Sequence, residues 1–417
     1  MVKIRFLSGV EGLIGGNQIL LEEGRTRIFL DLGMNYRQWL DFFEFIFSEP
    51  RGLSDLRQVG MLPEDEALKV DACFISHAHG DHWRLISALP EKTPVYLGEC
   101  PYKLLKAWLG TGRGKRGFKE YGHLEFKTFH SGEKIFIGNL KVEPFSVDHS
   151  IPGAYGFLVE TSSGNLLYTG DFRLHGRYRP PVSLFEEASH RGVTTMICEG
   201  TNVGQLVSPH TELDVERQLE GILSRCENLA ILDLAASDVD RIKTIQMVAK
   251  TSGRFLAATK PILTVLKALE GDEKLRPPRI GVDILPYEDV EAEIQAKPSG
   301  FILCTSFYSE REVRELKPPP GSLYLLSSSE PFEEERMIAF QRLQNWLRLF
   351  GAPMYHLHSS GHVYPMDLRR IVREIKPKEL FPIHTAYPEA MKAFLHDLTK
   401  VRIPMRGQSY EALKNSI

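Results

Sequence analysis

The sequence predicts an α/β protein in which one strand-rich unit is interrupted by a second unit of alternating strands and helices. Three observations carry this. Short apolar strands punctuated by glycine turns fill residues 2–171. From residue 206 helix-like segments alternate with strands, the pattern of βαβ units around a parallel sheet. The last stretch returns as helix, strand and helix. At roughly 100–200 residues per domain, 417 residues make two or three domains. The boundaries are expected at residues 1–205, 206–345 and 346–417.

Residues 2–7 alternate apolar and polar, Gly9, Gly12, Gly15 and Gly16 punctuate, and strands resume at 18–21 and 27–31. Trp39, Leu40, Phe42, Phe43, Phe45 and Ile46 suggest a helix, followed by a polar loop up to residue 70. Further strands are expected at 72–76, 94–97, 134–137, 141–145, 156–160 and 165–169. In the second unit helices are expected at 212–226, 239–251 and 261–270, and strands at 229–234, 281–285, 301–305 and 322–327. A helix over 332–350 ends at Gly351. The return is a helix over 368–375, a strand over 379–383 and a helix over 389–400.

The chain is 42% hydrophobic and 25% charged, the balance of an ordinary globular protein, which excludes a disordered chain or a fibre. No apolar run reaches the roughly 18 residues that span a bilayer, so no membrane partner is expected. The N-terminus enters a strand without a secretory apolar region. Cys73, Cys100, Cys198, Cys226 and Cys304 are scattered and lack CxxC spacing. They predict neither a disulfide framework nor a zinc finger, and they fit a reducing cytoplasm. A net charge of −3 gives no global attraction to nucleic acid, so polyanion binding must come from a local patch or from bound metal.

The most informative segment is Phe74-Ile75-Ser76-His77-Ala78-His79-Gly80-Asp81-His82. An apolar strand ends and potential ligands crowd behind it. Zinc takes neutral imidazole nitrogens and carboxylate oxygens at about 2.0–2.2 Å. Alternate residues of an extended chain point the same way, so His77 and His79 can bind one ion. Asp81 and His82 lie where the chain turns and can face a second. Asp31, His149, Asp171 and His384 each follow or close a strand. Together these residues supply what a two-metal site requires.

The HxHxDH motif, with Asp31 before it and His149 and Asp171 after it, resembles the metallo-β-lactamase fold. Later segments narrow the resemblance to its β-CASP nuclease branch: Cys198-Glu199-Gly200-Thr201-Asn202, His358-Ser359-Ser360-Gly361-His362 and Phe381-Pro382-Ile383-His384. The closest subgroup is the RNase J-like enzymes and their archaeal relatives, and the resemblance covers essentially the whole chain. It implies an αββα metallo-β-lactamase sandwich with an inserted α/β β-CASP domain. It also implies two Zn2+ ions, one held by His77, His79, His149 and Asp171, the other by Asp81, His82, Asp171 and His384. Asp171 would bridge them, and Asp31 would stand behind the ligands and orient one. Two cations sharing a water lower its pKa and neutralise charge on a phosphoryl oxygen. His362 is then the candidate general acid, with Glu199 orienting it or raising its pKa.

Ser359, Ser360 and Gly361 offer hydroxyls and a permissive backbone for a phosphate. Two basic stretches offer charge for a nucleic-acid backbone: Lys103, Lys106, Arg113, Lys115, Arg116 and Lys119, and then Arg173, Arg177 and Arg179. The insertion suits a polymer, and a histidine at His384 favours RNA among members of this branch. The resemblance thus implies hydrolysis of phosphodiester bonds in single-stranded RNA, by endonuclease action, 5′-3′ exonuclease action or both. A DNA-processing nuclease of the same family is the alternative; a small-molecule, thioester-type hydrolase and a non-catalytic partner stand further off. Departures are Thr385-Ala386 after the late histidine, Glu330-Pro331-Phe332-Glu333 after Ser327-Ser328-Ser329, and a chain that reaches Ile417 without the C-terminal dimerisation domain. They leave the oligomeric state open between monomer and dimer.

Overall fold

In the computed structural model, residues 2–43, 48–110, 121–178, 180, 183–306, 308–328 and 334–413 are described. Phe45, Ile46, Arg113, Lys115, Arg116, Lys119, Arg179, Ser329, Glu330, Pro331, Phe332 and Glu333 lie outside them. The chain divides into two compact units: residues 1–174, 179–207 and 361–417 form the first, and residues 175–178 and 208–360 the second.

The first unit holds two seven-stranded sheets. One runs Ser409–Glu411, Val2–Ser8, Gln18–Glu23, Thr26–Leu32, Ala72–Ile75, Pro94–Gly98, Glu125–Phe129. The other runs Lys400–Val401, Glu379–Ile383, Val193–Glu199, Gly164–Tyr168, Ala154–Thr161, Leu140–Val147, Ile135–Ile137. Each strand sends alternate side chains to opposite faces. Ile4, Phe6, Ile19, Leu30 and Phe74 of the first sheet therefore share one apolar cluster with Val142, Phe157, Tyr168, Ile197 and Phe381 of the second. On its other face the second sheet packs Phe145, Leu158, Leu167 and Leu380 against the helices Leu184–Arg191, Pro365–Ile375 and Pro388–Leu395. Helix Pro365–Ile375 does this with Leu368, Ile371, Val372 and Ile375, the spacing of one helical face. This is the αββα sandwich with an inserted α/β unit that the motifs imply.

Three neighbouring strands of the second sheet, Gly164–Tyr168, Val193–Glu199 and Glu379–Ile383, are parallel. Parallel strands end together at one edge of a sheet. The residues that follow them, Asp171 and His384, therefore meet Glu199 there.

The second unit is a six-stranded parallel sheet in the order Leu285–Pro286, Phe255–Ala258, Phe301–Thr305, Ala230–Asp233, Leu323–Leu326, Met354–His356. The parallel sheet expected from the strand–helix rhythm is present. The return comes at residue 361 rather than 346, because Met354–His356 pairs with Leu323–Leu326 inside this sheet. The strand expected at 281–285 shrinks to Leu285–Pro286, since Gly281 takes a left-handed turn (φ 79°) and donates its N–H to Ile284 O at 2.8 Å.

Buried ionisable groups of this unit bear on its stability, among them Arg241, Glu212 and Asp233. Arg241 and Glu212 are fully buried and form a two-pronged pair, Nη2–Oε1 2.7 Å and Nε–Oε2 3.1 Å; Arg241 Nη1 also donates to Ser327 O at 2.8 Å. Removing one member of a buried pair strands the other charge. Arg241→Ala is therefore expected to cost about 3–5 kcal/mol in urea unfolding, and the double change Glu212→Leu with Arg241→Met much less. A double variant as unstable as the single would show that packing, not charge, decides.

Asp233 closes Ala230–Asp233 and is buried; burial pushes its carboxyl up to about 6, against hydrogen bonds such as Thr305 Oγ1–Oδ2 at 3.1 Å. A raised folded-state pKa means that the folded chain holds the proton more tightly between about pH 4 and 6, so stability falls as pH rises through that window. Asp233→Asn should therefore gain on the order of 2–3 kcal/mol at pH 7 and little at pH 4. Unfolding at both pH values checks this; an equal gain at both would place the effect elsewhere.

Candidate metal centre

Residues 76–82 follow the buried strand Ala72–Ile75, and the short helix Gly80–Trp83 turns the chain there. His77 Nε2 lies 3.1 Å from His79 Nδ1, which lies 3.2 Å from His149 Nε2. Asp81, His82 and His384 make a second group, with His384 Nε2 3.2 Å from Asp81 Oδ2. Asp171 Oδ2 is 3.8 Å from His77 Nε2, 3.1 Å from His82 Nε2 and 3.3 Å from His384 Nε2, so it touches both groups. Every residue expected as a ligand thus converges on one spot within the first unit.

The residues fit divalent cations. Imidazole nitrogens and carboxylate oxygens converge within 4.8 Å of one another. Asp171 Oδ1 is buried with no hydrogen-bond partner, an arrangement that costs free energy unless something fills it. The second ring nitrogens are held from behind, as metal-binding histidines require. His82 Nδ1 meets Asp31 Oδ2 at 2.7 Å, and His149 Nδ1 meets Gly361 O at 2.6 Å. Asp31 also accepts from Ser76 N and Oγ, both at 2.7 Å, and from the Tyr168 hydroxyl.

Electrostatics favour the ligand forms of His77, His79, His149 and Asp171, whereas at His82 burial is outweighed by the carboxylates of Asp171, Asp81 and Asp31, which hold the imidazole well above its usual range. Burial pushes His77 and His149 well below the usual imidazole range and His79 down to about 4, so their lone pairs are free at neutral pH. Burial would raise Asp171, but His384, His82 and His362 outweigh it and hold its carboxyl well below the usual carboxylate range.

The backbone demands of the site carry no sequence signal. Asp31 (φ 60°) and His384 (φ 50°) are left-handed, a strained choice for side-chain-bearing residues. Glycines read only as punctuation are packing elements: a Cβ on Gly15 would meet Asp81 Oδ2 at 2.4 Å, and one on Gly33 would meet Asp81 O at 1.6 Å. The N–H groups of Gly16 and Asn17 both donate to Asp81 O at 3.1 Å.

His362 stands beside the ligands. Its Nδ1 is 3.3 Å from Glu199 Oε1 and 3.9 Å from Asp171 Oδ2. Burial would lower it, but Glu199, with help from Asp171 and Asp81, pushes it up to about 9. The fully buried Glu199 also accepts from the backbone N–H groups of Thr201 (3.0 Å), Val363 (3.3 Å) and Phe172 (3.4 Å). It thereby ties together the segments that carry Asp171, Thr201 and His362.

The expected phosphate contacts fare differently. Arg173 is fully buried and its Nε donates to Asp148 Oδ1 at 3.2 Å, so its charge is spent inside the first unit. Ser359 is buried and its hydroxyl donates to His210 O at 2.7 Å; it too is withdrawn from a substrate. Gly361 gives its carbonyl to His149, and Ser360 O lies 2.8 Å from His175 Nε2. Arg177 pairs with Glu216, and its Nε donates to Thr244 Oγ1 at 2.9 Å. Lys103 pairs with Glu99 at 3.0 Å, and Lys106 sits over the Tyr102 ring. Thr201 and Tyr168 were missed: nothing in the sequence marks a threonine or tyrosine as a partner of a ligand.

Residues 45–222 match the Beta-lactamase superfamily domain. A crystal structure of a protein of unknown function from Enterococcus faecalis V583 superposes with a TM-score of 0.76 at 21% identity, over 98% of this chain and 99% of that one. The nearer likeness is to ribonucleases J. That of Thermus thermophilus is 26% identical over 355 residues, 76% of this chain and 58% of that protein. That of Pyrococcus abyssi is 25% identical over 415 residues, 92% of this chain and 90% of that protein. The chain therefore spans less than two thirds of the Thermus protein's length. The chain is thus similar to ribonucleases J over most of its length, and its fold is that of the structural neighbour. No helix among the described residues is long and apolar enough to cross a membrane.

Proposed function

We propose that the protein is a zinc-dependent ribonuclease that hydrolyses phosphodiester bonds of single-stranded RNA, by endonuclease action, 5′-3′ exonuclease action or both. One observation carries it: two ligand groups share Asp171, and a histidine held by a buried carboxylate stands beside them. His77, His79 and His149 would hold one ion, Asp81, His82 and His384 the other, with Asp171 between. Two such ions supply an activated water at neutral pH and offset negative charge at a phosphoryl group.

The chain's own residues do the rest. Asp31 fixes the His82 ring through Nδ1, and Gly361 O fixes His149. Glu199 keeps His362 protonated at neutral pH, so His362 has a proton to give to the leaving alkoxide. The ribonucleases J among the relatives support RNA, and the β-CASP insertion supports a polymer. No disulfide joins the five cysteines among the described residues, which suits the cytoplasm.

The test is cleavage of matched 5′-labelled RNA and DNA, single- and double-stranded, by the zinc-loaded protein. Single-stranded RNA should be cut fastest. A preference for DNA would move the assignment to a DNA-processing nuclease; activity on a thioester with none on polynucleotide would make it a small-molecule hydrolase.

A further inference from the structure

The hydroxyl of Thr201 makes three contacts at once. Its Oγ1 is 3.0 Å from His384 O, 2.8 Å from His384 Nδ1 and 3.1 Å from His362 Nδ1. A hydroxyl has one proton and two lone pairs, and a carbonyl oxygen only accepts. All three contacts are hydrogen bonds in one arrangement alone: the hydroxyl donates to His384 O and accepts from the Nδ1–H of both rings. That arrangement fixes both tautomers. It leaves His384 Nε2, 3.2 Å from Asp81 Oδ2 and 3.3 Å from Asp171 Oδ2, as the nitrogen with a free lone pair. It also leaves Nε2 of His362 as the nitrogen whose proton can leave, since Nδ1–H is shared between Thr201 and Glu199.

The position of Thr201 is itself fixed. The residue is buried, its N–H donates to Glu199 Oε2 at 3.0 Å, and its carbonyl accepts from Gln205 Nε2 at 2.9 Å. The neighbouring Asn202 Nδ2 donates to His362 O at 3.0 Å and Val363 O at 3.1 Å, so the segment clasps the backbone of His362 as well as its ring.

We infer that Thr201 is a positioning residue whose hydroxyl sets the tautomer of both His384 and His362 and so couples binding of one metal ion to placement of the proton donor. The zinc half of this stands on geometry alone; the proton-donor half rests on the nuclease reading.

The experiment compares Thr201→Val, Thr201→Ala and Thr201→Ser in the full-length protein. Zinc is titrated against a chromophoric chelator without substrate, and turnover and its pH profile are measured on single-stranded RNA. Removing the hydroxyl should weaken the zinc site that His384 serves by about 10–100-fold, the usual effect of losing a partner that orients a ligand. Thr201→Ser should restore it, and Thr201→Val and Thr201→Ala should behave alike. Thermal melting of all three identifies any variant that is merely unfolded; the serine–alanine comparison isolates the hydroxyl if valine packs badly. Zinc affinity that is unchanged in valine and alanine, or equally lost in serine, would overturn the inference. If zinc follows the hydroxyl but no polynucleotide is cut, the nuclease reading fails and the positioning of His384 stands.

Discussion

Replacing His362 by alanine is expected to lower turnover on single-stranded RNA by roughly 10²–10⁴-fold while leaving the zinc content unchanged, the usual worth of a general acid. The ring lies 5.1 Å from that of His149 and 5.2 Å from that of His384. Glu199 holds its pKa up to about 9 against burial. The acid form is therefore full below that value and lost as pH rises through it. Bound cations repel the imidazolium, so the alkaline limb of the rate falls at or below pH 9. Glu199→Gln removes the main upward influence and should move that limb down further. The chain offers a sharp alternative, because His362, His149 and Asp171 also form a group able to hold metal. If His362→Ala loses zinc together with activity, His362 is a ligand and the proton comes from elsewhere.

Asp171→Ala should be more damaging still. The carboxylate is buried, faces His77, His82 and His384, and carries an oxygen with no protein partner. Its loss takes a ligand from both groups, so zinc should fall at both sites and cleavage to the level of a buffer control. His384→Ala touches one group only. It should lose one ion and keep the other on His77, His79 and His149. Elemental analysis of the two variants beside the parent decides; equal zinc in Asp171→Ala and the parent would remove Asp171 from the bridging role.

Much of this cluster was legible in the sequence because its residues sit at strand ends. The HxHxDH segment announces itself through spacing, and His149, Asp171 and His384 each follow an apolar run. The distances could not be read: the strand–helix rhythm predicts a parallel sheet only in the second unit, whereas the parallel strands that deliver Asp171, Glu199 and His384 to one edge lie in the first. What stayed hidden depends on three-dimensional neighbours. Arg173 looked like a free cation beside the site, yet Asp148 occupies it. Ser359 looked like a phosphate donor, yet its proton goes to His210 O. Thr201 looked like one residue of a motif, yet it joins two imidazoles. The left-handed backbone at Asp31 and His384 left no trace at all, because neither residue type favours it strongly enough to predict. The short strands Met354–His356 and Ser409–Glu411 were missed for a different reason: three residues carry too little alternation to register.

Two ions acting together, each with its own ligand group, are expected to be required for RNA hydrolysis by this chain. Stepwise reconstitution tests it most directly. The protein is stripped with a chelator, zinc is returned in measured equivalents, and cleavage of a 5′-labelled single-stranded RNA is followed at each step. Little cleavage is expected after the first equivalent and most of the activity on the second, with a plateau near two zinc ions per chain. Full activity at one equivalent, with no further gain, would contradict it.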